Sequence, residues 1–338
     1  MRSRRTRLGL AAAGIAVAAA CATGSGTMAA AGPEPRVAVV LDAGGCPETD
    51  TLELCEGIRR AMHRTGVQAR IVSPTFRESL ADFLALIARQ DYDAVVLFGL
   101  YYDPQVSAVA RRYPNVPFIV MDAPRAEVPS APPNLGGEVL EAREAAFLAG
   151  WLAAKLEQRR PGPDVIGAVG GVKVPGVTTF IDGYVAGARR AAPRVEVLVD
   201  YSDDWVDRRK CAALARHQIA RGAGAVFNVA GGCGLGTMKA AADAGIWAIG
   251  VDSDQYDEAP CCVLTSMVKG VDVAVFDAIQ AVATGKFTGG VRELGLAEGG
   301  VDYVWDDLTA KVAGEPVHQR VEAIRKQIVA GAIRVPSE

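Results

Sequence analysis

Val165–Asp200, VIGAVGGVKVPGVTTFIDGYVAGARRAAPRVEVLVD, decides the fold. Val165–Gly171 is an apolar run closed by two glycines, the form of a strand buried on both faces of a sheet. Thr178–Pro193 reads as the helix that follows and Val195–Ser202 as a second strand, which together make one βαβ unit of a parallel sheet. The alternation continues with a helix at Asp207–Gly222, a strand at Ala225–Gly231, a helix at Leu235–Gly245 and a strand at Trp247–Asp252. Upstream the same grammar runs from Val37. Strands are expected at Val37–Gly45, Gln68–Pro74, Ala94–Leu100 and Pro117–Pro124, and helices at Thr51–Gly66, Ser79–Gln90 and Pro104–Pro114. In the first of these helices Leu52, Cys55, Ile58 and Met62 recur at helical spacing. Pro124–Pro133 is a proline-rich break, and Glu141–Arg160 a long helix. Two successive runs of this kind predict an α/β fold of two doubly wound parallel-sheet lobes. The tail holds a strand at Val263–Met267, a helix at Val271–Gly285, a Gly-rich strand pair around Gly295–Trp305 and a last helix near Val317–Gly331. It has too few strands for a third domain, so it is expected to add to both lobes, making a multi-strand hinge. The expected division places 36–123 with 253–295 in an N-terminal lobe and 124–252 with 296–338 in a C-terminal lobe.

The chain begins with an export signal. Met1–Arg7 carries four arginines, Leu8–Ala20 is a 13-residue uncharged apolar run, and Cys21 follows three alanines directly. That run falls short of the ~20 residues that cross a bilayer as a helix. A cysteine at this place is where a bacterial lipoprotein is cut and acylated. The expectation is therefore a signal peptide at 1–20, a lipidated tether at 21–35, and a protein held on the extracytoplasmic face of the cell membrane. An ordinary secretory signal cut near Ala31 is the alternative.

The remaining chain, roughly 300 residues, can bury two medium cores. Half of the residues are apolar and the net charge is −3, which excludes the basic excess of a nucleic-acid partner. Of seven cysteines, Cys21 set aside leaves an even six, fitting an oxidising compartment. Fifteen full pairings are open. Closeness along the chain favours Cys46 with Cys55 and Cys211 with Cys233. The three histidines are scattered and no C-x-x-C occurs, so no metal site is expected. Ala230–Gly236, AGGCGLG, follows a strand and opens a helix, with Asp252 about 20 residues on, but it lacks true G-x-G-x-x-G spacing. No cofactor is expected.

In an open parallel sheet the residues just past the strand C-termini face the cleft. In the first lobe these are Asp42, Gly44, Gly45, Tyr101, Tyr102 and Asp122. In the second they are Gly170, Gly171, Ser202–Trp205, Ala230–Gly236, Asp252 and Asp254. The set holds carboxylates, glycines and aromatics but no Ser-His-Asp or Cys-His arrangement, so the chain is not read as an enzyme. Carboxylates accept hydroxyl hydrogen bonds and rings stack on flat ligands, which suits a sugar or nucleoside.

Five segments in order carry a family resemblance. They are Ala168–Pro193 (AVGGVKVPGVTTFIDGYVAGARRAAP), Val199–Lys210 (VDYSDDWVDRRK), Gly222–Gly236 (GAGAVFNVAGGCGLG), Ile249–Gln255 (IGVDSDQ) and Val263–Val275 (VLTSMVKGVDVAV). The chain resembles the basic membrane protein family of substrate-binding lipoproteins, purine nucleoside receptor-like, from about Val37 to Gly300. The resemblance implies a type I periplasmic-binding-protein fold, with a base sandwiched by two aromatics and acids and a lysine on the ribose. It implies that Trp205 stacks, that Asp252 and Lys269 hold the ribose with Gly231, Gly232 and Gly234 nearby, and that Asp42 and Asp122 are strand-end acids of the first lobe. The family's first helix opens with D-x-S-F-N, whereas this chain has Thr49-Asp50-Thr51. Losing one stacking face removes about 1–3 kcal/mol. Tyr101 or Tyr102 can substitute from the neighbouring loop, and Asp50 can meet an amino or cationic group. The implied function is binding of a nucleoside or related small polar ligand between the lobes, for delivery to an ABC transporter permease. A ligand-sensing lipoprotein that signals to a membrane partner, and an orphan binder of altered specificity, are the alternatives.

Overall fold

The computed structural model describes residues 34–41, 49–74, 79–98, 104–122 and 131–336, with the backbone alone at 49–52. Cys21, Asp42, Cys46, Tyr101, Tyr102 and the side chain of Asp50 lie outside the described residues.

Apolar runs become buried strands, and the chain winds a helix between each. The first lobe is built from β1 (Arg36–Leu41), α1 (Thr49–Thr65), β2 (Gln68–Val72), α2 (Leu80–Ala88), β3 (Ala94–Phe98), α3 (Pro104–Arg112), β4 (Phe118–Met121) and β5 (Leu135–Leu140). Helix α4 (Ala142–Glu157) leads into β6 (Val165–Gly170), α5 (Pro175–Ala191), β7 (Glu196–Tyr201), α6 (Arg208–Ala220), β8 (Ala225–Val229), α7 (Gly231–Ala244), β9 (Trp247–Gly250) and β10 (Val263–Lys269). The chain returns to the first lobe for α8 (Val271–Ala283) and β11 (Gly290–Leu294). It ends in the second with β12 (Val301–Tyr303), α9 (Asp307–Ala313) and α10 (Glu315–Val329).

Each sheet has six strands, ordered β11-β5-β4-β3-β1-β2 and β12-β10-β9-β8-β6-β7. The first sheet is parallel throughout. In the second only β12 runs antiparallel, against β10. The two orders repeat one pattern, and winding reverses between β1 and β3 in one sheet and between β6 and β8 in the other. Such switch points open a crevice at the strand C-termini. Both faces of each sheet are covered. Leu54 and Ile58 of α1 and Val275 and Ile279 of α8 join one apolar cluster that continues through α4 into the second sheet. Phe83, Leu84 and Val109 of α2 and α3 close the other face of the first sheet. Each such side chain, fully buried, contributes roughly 1.5–3 kcal/mol.

The two doubly wound lobes are as expected from the sequence; their seams are not. β5 lies in the first sheet, although the expected division assigned it to the second lobe, and β10 lies in the second sheet, although the division assigned it to the first. Gly295–Trp305 does not form a strand pair: β11 adds to β5 and β12 to β10. The reason is that the chain crosses three times, at Glu141, at Gly270 and at Gly295–Gly300, and the crossings bond to one another. Glu141 N–H donates to Leu294 O at 3.0 Å and Gly270 N–H to Gly300 O at 2.8 Å. The Glu144 carboxylate accepts the N–H of Leu296 at 2.9 Å.

Candidate functional site

Lys269 is the last residue of β10, immediately before the crossing at Gly270, and its side chain meets both lobes. Its Nζ donates to Asp122 Oδ2, just past β4 of the first sheet, at 2.6 Å and lies 3.5 Å from Asp252 Oδ1, just past β9 of the second. The Lys269 N–H also donates to the Asp252 carbonyl at 2.9 Å. Beneath the ammonium is the ring of Phe180 from α5, 4.8 Å away, a cation–π platform. The lysine side chain is only 13% exposed, against 40% for Asp122 and 38% for Asp252, so the cation is sunk and the carboxylates face the opening. Burial works against the charged ammonium, but Asp122 and Asp252 outweigh it and hold the Lys269 pKa above its ordinary value.

Both aspartates sit in the left-handed region, Asp122 at φ 55° and Asp252 at φ 66°. Aspartate enters that region more readily than most residues, yet the conformation is sparsely populated, and strain of this kind gathers at functional sites. Glu53, Phe98 and Val271 join these three in lining a cavity between the lobes. The lining is thus acidic overall, with one ammonium shared by the two strand-end aspartates.

Trp205 sits at the switch point of the second sheet. Its indole covers Gly171, where a β-carbon would stand 2.6 Å from the ring, so a larger residue here would displace the indole. Gly231, at φ 52°, flanks the same ring. The indole is 39% exposed, open along the strand-end edge without lining the cavity that holds Asp252.

The glycine run behaves differently from expectation: it is the first turn of α7, which starts at Gly231 rather than at Leu235. Buried Asn228 fixes it from below, accepting the Ala230 N–H at 3.3 Å and donating to Gln255 Oε1 at 3.1 Å. Gln255 also accepts the N–H of Val251. Asp254 faces elsewhere, capping the Tyr256 N–H and lining a separate acidic hollow with Asp257, Asp306 and Asp307.

Of the sequence-derived candidates, the structure therefore brings together Asp122, Asp252 and Lys269, and sets Trp205, Gly231 and Gly232 on the same edge. It leaves Asp254 out, while Asp42, Asp50 and Tyr101 fall outside the described side chains. Phe98, Glu53, Val271 and Phe180 were missed. Phe98 ends β3 two residues short of the expected strand end at Leu100, which had placed it inside the strand; Phe180 arrives from a helix and has no linear signal. Cys211 and Cys233 are joined, with Cα atoms 5.7 Å apart. Cys261 pairs with its neighbour Cys262. Cys55 is disulfide-bonded, and Cys46, the partner expected for it, lies outside the described residues. Among the described residues no cluster of His, Cys, Asp and Glu is placed to hold a metal, and no helix is long and apolar enough to cross a membrane.

The family model described as ABC transporter substrate-binding protein PnrA-like matches residues 48–338. An uncharacterized lipoprotein of Pyrococcus horikoshii is 31% identical over 80% of this chain and 69% of its own. The ABC transporter nucleoside-binding protein BmpA of Lactococcus lactis is 30% identical over 72% of this chain and 71% of its own. Among solved structures, an ABC transporter solute-binding protein of Aeropyrum pernix superposes with a TM-score of 0.75 at 24% identity, covering 90% of this chain and 94% of the other, a likeness of fold.

Proposed function

Because this chain belongs to the PnrA-like family of ABC transporter substrate-binding proteins, we propose that it captures a nucleoside or closely related polar ligand between its lobes. We further propose that it passes the ligand to a membrane permease while tethered by a lipid on Cys21. A solute-binding protein of this kind carries out no covalent step. It works by differential affinity: the closed arrangement gains only what the ligand's contacts with both lobes supply.

The observation that carries the reading is the Asp122–Lys269–Asp252 triad, in which carboxylates of two lobes share one ammonium at the mouth of the cleft. Vicinal ribose hydroxyls donate to the outward carboxylate oxygens and accept from the lysine, so a ribose can enter the existing charge network without unpairing it. The indole at the neighbouring switch point offers a flat face to a base. The printed name of the Lactococcus relative, nucleoside-binding, supports the same ligand class.

Thermal-shift screening of the protein freed of residues 1–20 against nucleosides, bases, free sugars and amino compounds tests the assignment. A nucleoside present at 100 times its Kd should add about 2.7 kcal/mol of stability and a matching rise in Tm. A rise with another class, and with no nucleoside, overturns the ligand assignment.

A further inference from the structure

The segment Ser202–Asp207 between β7 and α6 has no regular structure, yet it carries the indole that the nucleoside reading assigns to stacking. An exposed aromatic on a loose loop forfeits affinity, because its freedom is lost when the ligand arrives. Here the loop is fixed at every residue. Ser202 N–H donates to Gly170 O at 2.9 Å and Asp203 N–H to Gly171 O at 3.1 Å. The Asp204 carboxylate accepts the N–H groups of Val206 and Asp207 at 2.8 and 2.9 Å and the Lys210 ammonium at 2.8 Å. Ser202 Oγ donates back to Asp204 O at 2.9 Å. The Trp205 carbonyl accepts the Cys233 N–H at 2.9 Å.

That last bond closes a ring. From Trp205 the chain runs into the first turn of α6 to Cys211, through the disulfide to Cys233 in the first turn of α7, and back by hydrogen bond to Trp205. Both cysteines are fully buried. We propose that the Cys211–Cys233 disulfide, together with Asp204, is a positioning device that holds the Trp205 indole ready to stack, and thereby sets the affinity of the cleft for ligands with a flat ring. The inference rests on the nucleoside reading for its ligand but not for its geometry. Ala212 and Ala215 of α6 and Ala240 of α7 pack with Val226 of β8 in one buried cluster, contacts that do not run through the bond, so its removal is expected to release the loop and not the fold.

The test compares the full mature chain with Cys211→Ser/Cys233→Ser, using inosine in isothermal calorimetry and acrylamide quenching of tryptophan emission. Trp205→Phe, measured in parallel, isolates the Trp205 signal from Trp151, Trp247 and Trp305. The expected results are inosine affinity reduced about tenfold, within the range of one lost stacking contact, and increased quenching of Trp205 alone. In a Trp205→Ala background the same cysteine substitutions should cost nothing further, since a positioning role vanishes with the residue positioned. Unchanged affinity and quenching, or an equal further loss in the Trp205→Ala background, overturns the proposal. If the serine variant fails to fold, Asp204→Asn, which keeps the loop acceptor and loses the Lys210 pair, must show the same Trp205-specific quenching, and its failure to do so counts against the proposal. If the wild type binds no nucleoside, the ligand reading fails while the quenching comparison still decides the positioning role.

Discussion

Asp252 shows how one residue serves two demands. Its backbone, at φ 66°, turns the chain away from β9, and its carboxylate joins the Lys269 ammonium. Alanine here would confuse the two, losing the charge and straining the backbone together. Asn tolerates the left-handed region and removes only the charge. Asp252→Asn should therefore weaken nucleoside binding roughly tenfold, the scale of a hydrogen bond to a charged group, and leave the melting temperature of the free protein within a degree or two. Calorimetry with a nucleoside and a melting curve decide it, and equal affinity removes Asp252 from the site. Asp252 and Trp205 were legible because they lie in the turns that follow strands, and Lys269 only through the family resemblance, since the strand expected at Val263–Met267 stopped short of it. Phe180 was not, since only the packing of α5 brings its ring under the ammonium.

Among elements, β5 was hidden in the sequence. Leu135–Leu140, LGGEVL, has two glycines and a glutamate in six residues, a poor strand by propensity, yet every residue is buried. It pairs with β4 on one edge and with β11, far along the chain, on the other; β11 brings Arg292 within 3.3 Å of Glu138, while Arg292 also bonds Asp277 of α8 at 2.6 Å. Tertiary pairing overrode local preference, and no window of sequence around β5 carries that information. The same holds for the start of α7, where glycines that read as a loop are held helical by Asn228 and the disulfide. Burial pushes the Glu138 carboxyl from 4.5 up to about 7, with Arg292 opposing and Asp277 reinforcing. The folded protein thus keeps a proton that the unfolded chain gives up. The stability tied to Glu138 is complete below pH 4.5 and is lost as pH rises to about 7, with no further change above. Glu138→Gln cannot ionise, so its advantage over wild type should grow by about 1–3 kcal/mol across that window. Urea melts at pH 4.5, 6 and 8 measure it; parallel profiles for the two proteins refute the assignment.

Over the described residues, three crossings and the Lys269–Asp122 ion pair join the lobes at the cleft. The crossings bond to one another, and Lys269 to Asp122 is a contact that any opening of the lobes would have to break. Asp122 is 40% exposed, so solvent screening limits the pair to about 1 kcal/mol, enough to change the ratio of open to closed forms several-fold. Asp122→Asn, which also tolerates its positive φ, should enlarge the radius of gyration of the free protein in solution scattering. An excess of added nucleoside should restore the compact value. An unchanged radius would mean that the hinge, not the ion pair, sets the resting shape. The pairing of β11 with β5 has its own consequence for how the polypeptide is made. A nascent chain emerging N-terminus first carries β5 with its outer edge bare, because Gly136 meets Gly290 only after the entire other half has been synthesised. Neither half is a self-sufficient module, and a product truncated before Leu294 would display an unpaired strand edge, which is a seed for aggregation.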